Sequence, residues 1–350
     1  MITKRVVATG PGYGDAHPTS GPPARHRPPG RSPYAPGVPE LRRDPLTGEV
    51  VLLAPGRAAR PHTVSTVAGT TEPRSCPFCP GHESDTPPEV ARVGGGTPDG
   101  PGWRVRAFPN LYPIVGGAEA HDGATGEHEV VVLSPDHRRD LGALDDHQTI
   151  EVFGVLRDRS RALAQGGHAY VQVAVNHRQG AGASIEHPHA QVLALDFVPP
   201  AVEAAVARFE AAATDLVVDD QTRAEALGGQ VLRRGEAGAW CSPSSAAPYE
   251  VRVATRGAGA RFAEASDDEL TETALVIRDC VGRLDVLLDG PPYNVVVHDA
   301  PTRGDQRYHW WVTVLPRLSV PAGFELGTGV FVETVDPRDA AEQLRAVATP

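Results

Sequence analysis

The stretch His187-Pro188-His189-Ala190-Gln191 decides how this sequence is interpreted. It follows a glycine-rich turn at residues 176–184 and runs into the apolar segment Val192-Leu193-Ala194-Leu195. In an extended chain, side chains alternate between the two faces, so residues 187, 189 and 191 point the same way. The sequence therefore predicts a strand that carries two imidazoles and a carboxamide in one row, beside a loop rich in backbone N–H groups.

This row of side chains favours one kind of chemistry. Imidazole is a competent nucleophile at neutral pH, and a glycine loop that contains a serine can hold a phosphate group. Together these features favour nucleotidyl transfer through a histidine. Two histidines that flank a proline also occur in ordinary surface loops, and the chain has 14 histidines. The five residues alone leave both interpretations open.

The composition is typical of a globular protein with two domains of ordinary size. The 350 residues are 40% hydrophobic and 22% charged, which suits a folded chain. The formal net charge of −11 argues against a nucleic-acid surface, which needs a basic stripe, but a local group of arginines can still bind a phosphorylated small molecule. No apolar run has the length of a membrane span. The N-terminus lacks the apolar core of a secretory signal, so we expect a cytoplasmic protein.

The four cysteines divide into one close pair and two single residues. Cys76-Pro77-Phe78-Cys79 has the spacing with which a tight turn presents two thiolates to zinc. No helical pattern opens at Cys76, as a redox motif of the thioredoxin type requires. The pair supplies half of a tetrahedral site, and the candidates for the other half are His82 nearby or the distant His137 and His187. The two single cysteines are expected to be ordinary buried thiols.

Hydrophobic periodicity predicts the secondary structure that surrounds the row of polar side chains. Residues 1–37 are crowded with Pro, Gly, Arg and His, and we expect them to form a disordered leader. Apolar residues at helical spacing predict helices over 145–164 and 267–288. Strands are predicted over 50–53, 170–175, 187–195, 294–298 and 308–314.

The second half of the chain repeats the layout of the first. In each half a predicted helix precedes a strand, a loop and a second strand. Superposing the halves places His309 on His187, Trp311 on His189 and Thr313 on Gln191. An internal duplication of this kind leaves the histidine nucleophile in the first half only.

Eight short motifs stand in a fixed order along the chain. They are Asp44-Pro45-Leu46-Thr47-Gly48, Arg57-Ala58-Ala59-Arg60-Pro61, Cys76-Pro77-Phe78-Cys79, Phe108-Pro109-Asn110-Leu111-Tyr112-Pro113, His128-Glu129-Val130, Ser134-Pro135-Asp136-His137, Ser184 through Gln191, and Pro321-Ala322-Gly323-Phe324-Glu325-Leu326-Gly327. On these motifs, the chain from about Leu41 to Leu344 resembles the galactose-1-phosphate uridylyltransferases, the transferase branch of the histidine-triad superfamily. The resemblance implies an α+β fold with two tandem histidine-triad-like domains, each an antiparallel sheet with flanking helices. We expect a catalytic domain with the metal site over 38–200, and a second domain without the nucleophile over 201–350.

The resemblance also assigns roles to individual residues. It implies that His189 is the nucleophile that takes the nucleoside monophosphate, and that Gln191 donates to a phosphate oxygen in the transition state. It implies one structural zinc ion with a closed shell of four ligands. The implied zinc ligands are Cys76, Cys79, His137 and His187. The implied nucleotide contacts are Arg57, Arg60, Asn110, Asn176 and Ser184, and the segment that meets the sugar phosphate contains Phe324 and Glu325.

These roles predict transfer of a nucleoside monophosphate between a nucleoside diphosphate sugar and a sugar 1-phosphate. The route is ping-pong, through a covalent nucleotidyl-histidine. Neutral His189 must attack, so a partner is expected to hold its other ring nitrogen, and the usual partner is a neighbouring backbone carbonyl.

Three alternatives to this function follow from the same residues. The Pro321–Gly329 motif and the Glu186–His189 motif resemble a divergent branch that includes ADP-glucose phosphorylase, in which inorganic phosphate is the acceptor. A hydrolase of nucleotide conjugates is disfavoured, because the Gln191 amide cannot act as an acid or base near neutral pH. A zinc-stabilised binding protein without turnover is disfavoured by the intact set of His189, Gln191 and the arginine motif.

A second metal site known in the family is expected to be absent. Such a site uses one glutamate and three histidines, and here only His298 and His309 match. Trp311 stands where a third histidine is expected, and Ala205 stands at the glutamate position. The family builds its sites across a dimer, so the resemblance also implies a homodimer.

Overall fold

The computed structural model describes residues 40–54, 76–116 and 124–348. The predicted leader over 1–37 and the motif with Arg57 and Arg60 lie outside these residues. Thirteen strands are present: β1 (Glu40–Arg43), β2 (Val50–Leu53), β3 (Ala91–Gly94), β4 (Trp103–Pro109), β5 (Gly126–Val132), β6 (Tyr170–His177), β7 (His189–Leu195), β8 (Gln230–Arg234), β9 (Ala237–Trp240), β10 (Val251–Thr255), β11 (Tyr293–His298), β12 (Trp311–Pro316) and β13 (Val330–Glu333) within the described ranges. The helices there are α1 (Asp146–Gln165), α2 (Pro200–Ala211), α3 (Leu216–Ala226), α4 (Asp267–Leu288), α5 (Gly323–Thr328) and α6 (Pro337–Ala346).

Ten of the strands form one antiparallel sheet with a symmetric order. The order is β3-β4-β5-β7-β6-β11-β12-β10-β9-β8, so each half of the chain supplies five neighbouring strands. The two halves meet where β6 pairs antiparallel with β11, for example Val175 opposite Val295. The topology thus repeats as the sequence predicts, and β7 and β12 begin at the two residues that the superposition aligns, His189 and Trp311. The α+β class is confirmed, and the predicted domain boundary near residue 200 stays a prediction.

One face of this sheet carries the main hydrophobic core under the two long helices. In β7, Ala190, Val192 and Ala194 are fully buried and belong to the same core cluster as Phe153 and Leu156 of α1. In an extended strand the intervening residues must point the other way. His189 and Gln191 therefore face away from the helices, and this alternation places the polar row.

The two long helices begin at well-defined polar caps. The Asp145 side chain accepts a hydrogen bond from the Gln148 N–H at the start of α1. A reciprocal capping box between Ser266 and Glu269 starts α4. Such caps satisfy N–H groups that a helix leaves without an intrahelical partner. Both helices lie within about two residues of the predicted ranges, because their long apolar stripes give a strong periodic signal.

Two smaller clusters cover the opposite face of the sheet. Under the first half, Cys76 and Phe78 of the cysteine turn pack with Phe108, Val130 and Val132. Under the second half, α2 and α3 contribute Phe209 and Val217 to a cluster that also contains Leu46, Trp240 and Trp311. The cysteine turn and the Asp44–Gly48 turn thus occupy corresponding sides of the sheet, one in each half.

The structure differs from the sequence predictions in some details. The strand predicted from residue 308 begins at Trp311, and the strand predicted from residue 187 begins at His189. A separate three-stranded sheet, β1-β2-β13, pairs β2 with β13 in parallel and so joins distant parts of the chain. In the described part of the chain, no helix combines the length and apolarity needed to cross a membrane.

Candidate active site and metal centre

The His189 imidazole is held in one orientation by its own backbone neighbourhood. Its Nδ1 lies 2.8 Å from the His187 carbonyl oxygen, so Nδ1–H donates there. The predicted carbonyl partner is therefore present. The ring is 5% exposed, and it meets the Phe78 ring edge-on at a centroid distance of 5.2 Å. Burial lowers the pKa of His189, and a neutral ring with its proton on Nδ1 keeps a lone pair on Nε2.

Gln191 lies on the same face of β7 and contacts a second histidine. Its Oε1 is 3.0 Å from His128 Nε2. His128 comes from β5, which pairs with β7 so that Val130 lies opposite Gln191 and Val132 lies opposite His189. Burial lowers the pKa of His128. The antiparallel register thus groups His128, Gln191 and His189 on one side of two adjacent strands.

The four predicted metal ligands form a single cluster. The ligand atoms of Cys76, Cys79, His137 and His187 all lie within 4.8 Å of one another. His137 Nδ1 is 3.4 Å and His187 Nδ1 is 3.5 Å from Cys79 Sγ. His82, the local alternative, instead has its Nδ1 3.1 Å from Asp85 Oδ2.

The chemistry of this cluster fits a metal ion. His187 Nε2 donates to the Ser134 carbonyl oxygen at 2.8 Å, so Nδ1 presents its lone pair to the thiols, as metal-bound histidines usually do. Burial and the neighbouring Cys76 raise the pKa of the Cys79 thiol to about 11. A cation between the two sulfurs would offset this effect and favour the thiolates. The residues present therefore suit a divalent ion that prefers sulfur and nitrogen ligands.

Glu83 anchors the cysteine turn to the sheet. Its Oε1 accepts from the Trp103 indole N–H at 2.8 Å, and its Oε2 accepts from the Gly81 backbone N–H at 2.9 Å. The carboxylate is 5% exposed. The contact ties the turn that carries Cys79 to β4, next to the strand that holds His128.

The predicted nucleotide contacts lie at three places around this face. The Asn110 side-chain amide lies 3.2 Å from His128 Nε2 and 3.4 Å from Nδ1. Asn176 is on β6, where its Oδ1 accepts from Asn294 of the second half at 2.7 Å. Ser184 is exposed in the glycine-rich loop. The structure thus places Asn110 beside the His128–Gln191 pair, whereas Ser184 lies at the surface.

The segment predicted to meet the sugar phosphate forms α5, which leads into the three-stranded sheet. Phe324 lies on α5 with 49% of its surface exposed. Glu325 caps the same short helix by accepting from the Ala322 N–H at 3.0 Å. Since α5 follows the ten-stranded sheet in sequence and leads into β13 of the three-stranded sheet, its two residues are not on the strands that carry His189.

In the second half, the corresponding residues make protein contacts of their own. His298 stacks on Trp311 with ring centroids 4.5 Å apart and lies 2.9 Å from the Thr313 hydroxyl. His309 Nδ1 is 2.7 Å from Asp215 Oδ2, and its Nε2 is 2.8 Å from the Thr255 carbonyl oxygen. His298 and His309, the two residues that match the second metal site of the family, therefore both have partners within the protein.

The second half also contains a buried cluster of charged side chains around Arg252 of β10. Arg252 is 2% exposed and contacts three carboxylates, those of Asp44, Asp220 and Glu250. Asp220 also accepts from the Trp240 indole N–H at 2.8 Å. With one cation among three acids, burial raises the pKa of Glu250 to about 7, although Arg252 opposes the shift. The Asp44–Gly48 motif is thus explained by structure, as an anchor for β1 and β2 on the large sheet.

Comparison with known proteins shows which proteins this chain is similar to. Residues 119–199 match the family model described as galactose-1-phosphate uridyl transferase, N-terminal domain. ADP-glucose phosphorylase of Arabidopsis thaliana is 29% identical over 345 residues, covering 89% of this chain and 93% of that protein. Galactose-1-phosphate uridylyltransferase of Thermotoga maritima is 27% identical over 331 residues, covering 87% of this chain and 98% of that protein.

Solved structures give the same result. The crystal structure of the Arabidopsis thaliana ADP-glucose phosphorylase with bound ADP-glucose has a TM-score of 0.77 at 27% identity, covering 89% of this chain and 100% of that one. A uridylyltransferase structure has a TM-score of 0.66 at 26% identity, covering 87% of this chain and 97% of that one. The motifs, the sheet topology and these similarities agree: residues 119–199 match the family model, and the chain as a whole is similar to galactose-1-phosphate uridylyltransferases and to ADP-glucose phosphorylase.

Proposed function

We propose that this protein is a nucleotidyltransferase that moves a nucleoside monophosphate between a nucleoside diphosphate sugar and a sugar 1-phosphate. The observation that carries the proposal is the hydrogen bond from His189 Nδ1 to the His187 carbonyl, 2.8 Å long, which keeps the Nε2 lone pair on a buried ring. Similarity to curated relatives that are named galactose-1-phosphate uridylyltransferases supports the same reaction type.

The two half-reactions use the same atoms in opposite directions. His189 Nε2 attacks the α-phosphorus of the nucleoside diphosphate sugar, a P–N bond forms, and the P–O bond to the sugar 1-phosphate breaks with its electron pair on the departing oxygen. A phosphate oxygen of the acceptor then attacks the same phosphorus, and the P–N bond electrons return to Nε2. The Gln191 amide donates to a non-bridging oxygen as negative charge develops on it.

We propose that the metal of the four-residue cluster is zinc and that its role is structural. Two cysteines and two histidines fill a tetrahedron and leave no open position, so the ion supplies rigidity and takes no part in the transfer. His187 belongs to the cluster, and its carbonyl oxygen holds His189 Nδ1 at 2.8 Å. The cluster therefore fixes the backbone group that orients the nucleophile.

A phosphorylase that uses inorganic phosphate as acceptor is the second candidate. Its support is the similarity to ADP-glucose phosphorylase, at 29% identity and a TM-score of 0.77. The Thermotoga maritima uridylyltransferase is 27% identical, and two uridylyltransferase structures have TM-scores of 0.66 and 0.67. The two enzymes would share the first half-reaction and His189, and would differ in the group that enters second.

Phe324 and Glu325 are the predicted contacts of the sugar phosphate. They lie on α5, outside the strands that carry His189, and we propose that a homodimer brings them to the site of the partner. Light scattering of the purified protein should give twice the 37.0 kDa chain mass. A stable monomer with full activity would contradict this arrangement.

A donor and acceptor panel tests the proposed reaction. UDP-glucose and ADP-glucose should each be assayed with galactose 1-phosphate, glucose 1-phosphate and inorganic phosphate. Initial-rate plots should run parallel, because the first product leaves before the acceptor binds. Turnover with a sugar 1-phosphate supports the transferase, and turnover with phosphate alone supports the phosphorylase. Intersecting plots would contradict the covalent route in both.

A further inference from the structure

His128 is the residue of the candidate site to which the sequence motifs assign no role. It lies in the motif His128-Glu129-Val130, and its side chain is 6% exposed. One ring nitrogen, Nε2, is 3.0 Å from Gln191 Oε1. The other, Nδ1, accepts a hydrogen bond from the backbone N–H of Ile114 at 3.3 Å.

The Ile114 contact determines which ring nitrogen carries the proton, because the Asn110 amide nitrogen lies near both ring nitrogens, 3.4 Å from Nδ1 and 3.2 Å from Nε2, and does not distinguish them. The Ile114 backbone N–H can only donate, so Nδ1 must offer its lone pair. Burial lowers the pKa of His128, which keeps the ring neutral near pH 7. A neutral imidazole has one protonated nitrogen, and Nε2 is therefore the donor. The atom of Gln191 that faces His128 must then be the amide oxygen.

The orientation of the Gln191 amide follows from these two hydrogen bonds, from Ile114 to His128 and from His128 to Gln191. With its oxygen held by His128, the amide directs its NH₂ group away from the His128 ring, which leaves an N–H donor for a phosphate bound on this face of β7. The opposite rotamer would direct a lone pair at the phosphate and would lose the contact with His128. Because Gln191 is on the sheet face and only half-buried, its own strand does not impose one of these two orientations.

We propose that His128 is a positioning residue that fixes the Gln191 amide with its N–H groups toward the transferred phosphate. The backbone of the Asn110–Ile114 loop, through the Ile114 N–H, sets the tautomer that makes this possible. The inference rests on the proposed function, since it concerns the transition-state donor of that reaction. His128 acts through Gln191 and needs no contact with the substrate.

In the second half of the molecule, β10 and β12 form the pair that corresponds to β5 and β7, but the contact between a histidine and a glutamine is replaced. Thr313 aligns with Gln191, and its hydroxyl lies 2.9 Å from His298 of β11. In the register of β10 with β12, Arg252 lies opposite Thr313, at the place where Val130 lies opposite Gln191 in the first half. Among the described strands, only the first half therefore combines a carboxamide on the inner strand, Gln191 of β7, with a histidine on the next strand, His128 of β5, that contacts it.

A double-mutant cycle between His128 and Gln191 tests the proposal. Gln191→Ala should lower kcat by roughly 100-fold, as expected when one transition-state donor is lost. His128→Phe keeps a ring of similar size but no donor, and should lower kcat by about tenfold with KM little changed, because one orienting hydrogen bond is lost. In the Gln191→Ala background, His128→Phe should cost nothing further.

His128→Gln serves as the conservative variant. A glutamine amide can place a donor near the position of the ring Nε2, so kcat should stay within about threefold of the wild type. Additive losses in the double variant would overturn the proposal, as would a wild-type rate for His128→Phe. Equal losses in His128→Gln and His128→Phe would also overturn it, because they would point to packing and not to the donor.

The outcomes separate this inference from the proposed function. Nucleotide bound to His189 with a normal rate in His128→Phe would leave the function standing and remove the role of His128. A wild-type rate in Gln191→Ala would remove the phosphate donor and the positioning role together. A wild-type rate in His189→Gly would contradict the function itself.

Discussion

His187 and His309 occupy equivalent positions in the two halves, and their ring nitrogens show what duplication has preserved. Each Nε2 lies 2.8 Å from a backbone carbonyl oxygen near the neighbouring strand, that of Ser134 or that of Thr255. The Nδ1 atoms differ, since His187 faces the cysteine pair and His309 faces Asp215. The backbone contact is shared, whereas a carboxylate in the second half takes the place of the metal cluster.

The next positions in the two strands diverge further. His189 is a buried imidazole held by a backbone carbonyl. Trp311 is packed among aromatic rings and stacks on His298 at 4.5 Å. The same strand geometry therefore carries the proposed nucleophile in one half and a core side chain in the other. Both halves bury a ring at this position, and under the proposed function only the ring in the first half reacts.

Replacing His189 with glycine should have the largest effect of any single change. Loss of the nucleophile removes the covalent route, and turnover should fall by ~10⁴-fold or more. Trp311→Phe is the matched control in the second half, because it keeps an aromatic ring against His298. Its turnover should stay within about twofold of the wild type, since phenylalanine preserves most of the packing. Steady-state assays measure both turnover rates, and an equal loss in the two variants would contradict the assignment of the nucleophile to the first half.

Cys76→Ser should remove the metal and much of the stability of the first half. A structural ion supplies folding free energy, and losing one thiolate ligand should cost several kcal/mol. Elemental analysis and thermal unfolding measure the two effects. Cys280→Ser makes the same atomic change at a buried thiol of α4, and this variant should keep its metal. Full metal retention in Cys76→Ser would show that the cluster does not bind it.

Arg252→Met should destabilise the second half without loss of metal. The change leaves Asp44, Asp220 and Glu250 buried without their cation, which typically costs about 3–5 kcal/mol. Arg338→Met removes an exposed pair with Asp339 and should cost less than about 1 kcal/mol. Denaturant unfolding compares the two. Equal small losses would show that the charge cluster is not a structural anchor.

Glu250→Gln should change the pH dependence of stability. The pKa of Glu250 is raised from its ordinary 4.5 to about 7 in the folded protein, so the folded state binds this proton more tightly than the unfolded state. The stabilisation it gives is complete below about pH 4.5 and is lost as the pH rises to about 7, with an upper limit near 3 kcal/mol.

Glutamine has no such proton, so the variant should lose part of the decline in unfolding free energy between pH 4.5 and 7. Asp44, whose pKa is lowered in the same cluster although burial opposes it, titrates below this range and serves as an internal reference. Parallel stability curves for the variant and the wild type would contradict the assignment of the proton to Glu250.

Much of the sheet and its helices could be predicted because their signals are local. The helices over 145–164 and 267–288 match α1 and α4 closely, since each shows a long apolar stripe. The duplication was visible as well, because helix, strand and loop recur in the same order. The union of both halves through β6 and β11 could not be predicted, since strand pairing depends on contacts between residues far apart in sequence.

The candidate site was predictable only in part, for the same reason. The resemblance supplied all four members of the metal cluster, and the structure brings them together. His128 contacts Gln191 across 63 residues of sequence, and only the register of β5 with β7 makes the two side chains neighbours. The only indication of His128 in the sequence was its place in the motif His128-Glu129-Val130. The catalytic and substrate-binding roles of the predicted site residues stay predictions, and Arg57 and Arg60 lie outside the described residues.

The most direct test of the central claim is the location of a covalent nucleotide. The full chain is incubated with UDP-glucose or ADP-glucose in the absence of an acceptor, then digested and analysed by tandem mass spectrometry. A P–N bond to imidazole should give an adduct that is labile to acid and stable to base. We expect one nucleoside monophosphate on His189 in the first half, and none on His298 or His309 in the second. An adduct on any other residue, or no adduct in an enzyme that turns over, would contradict it.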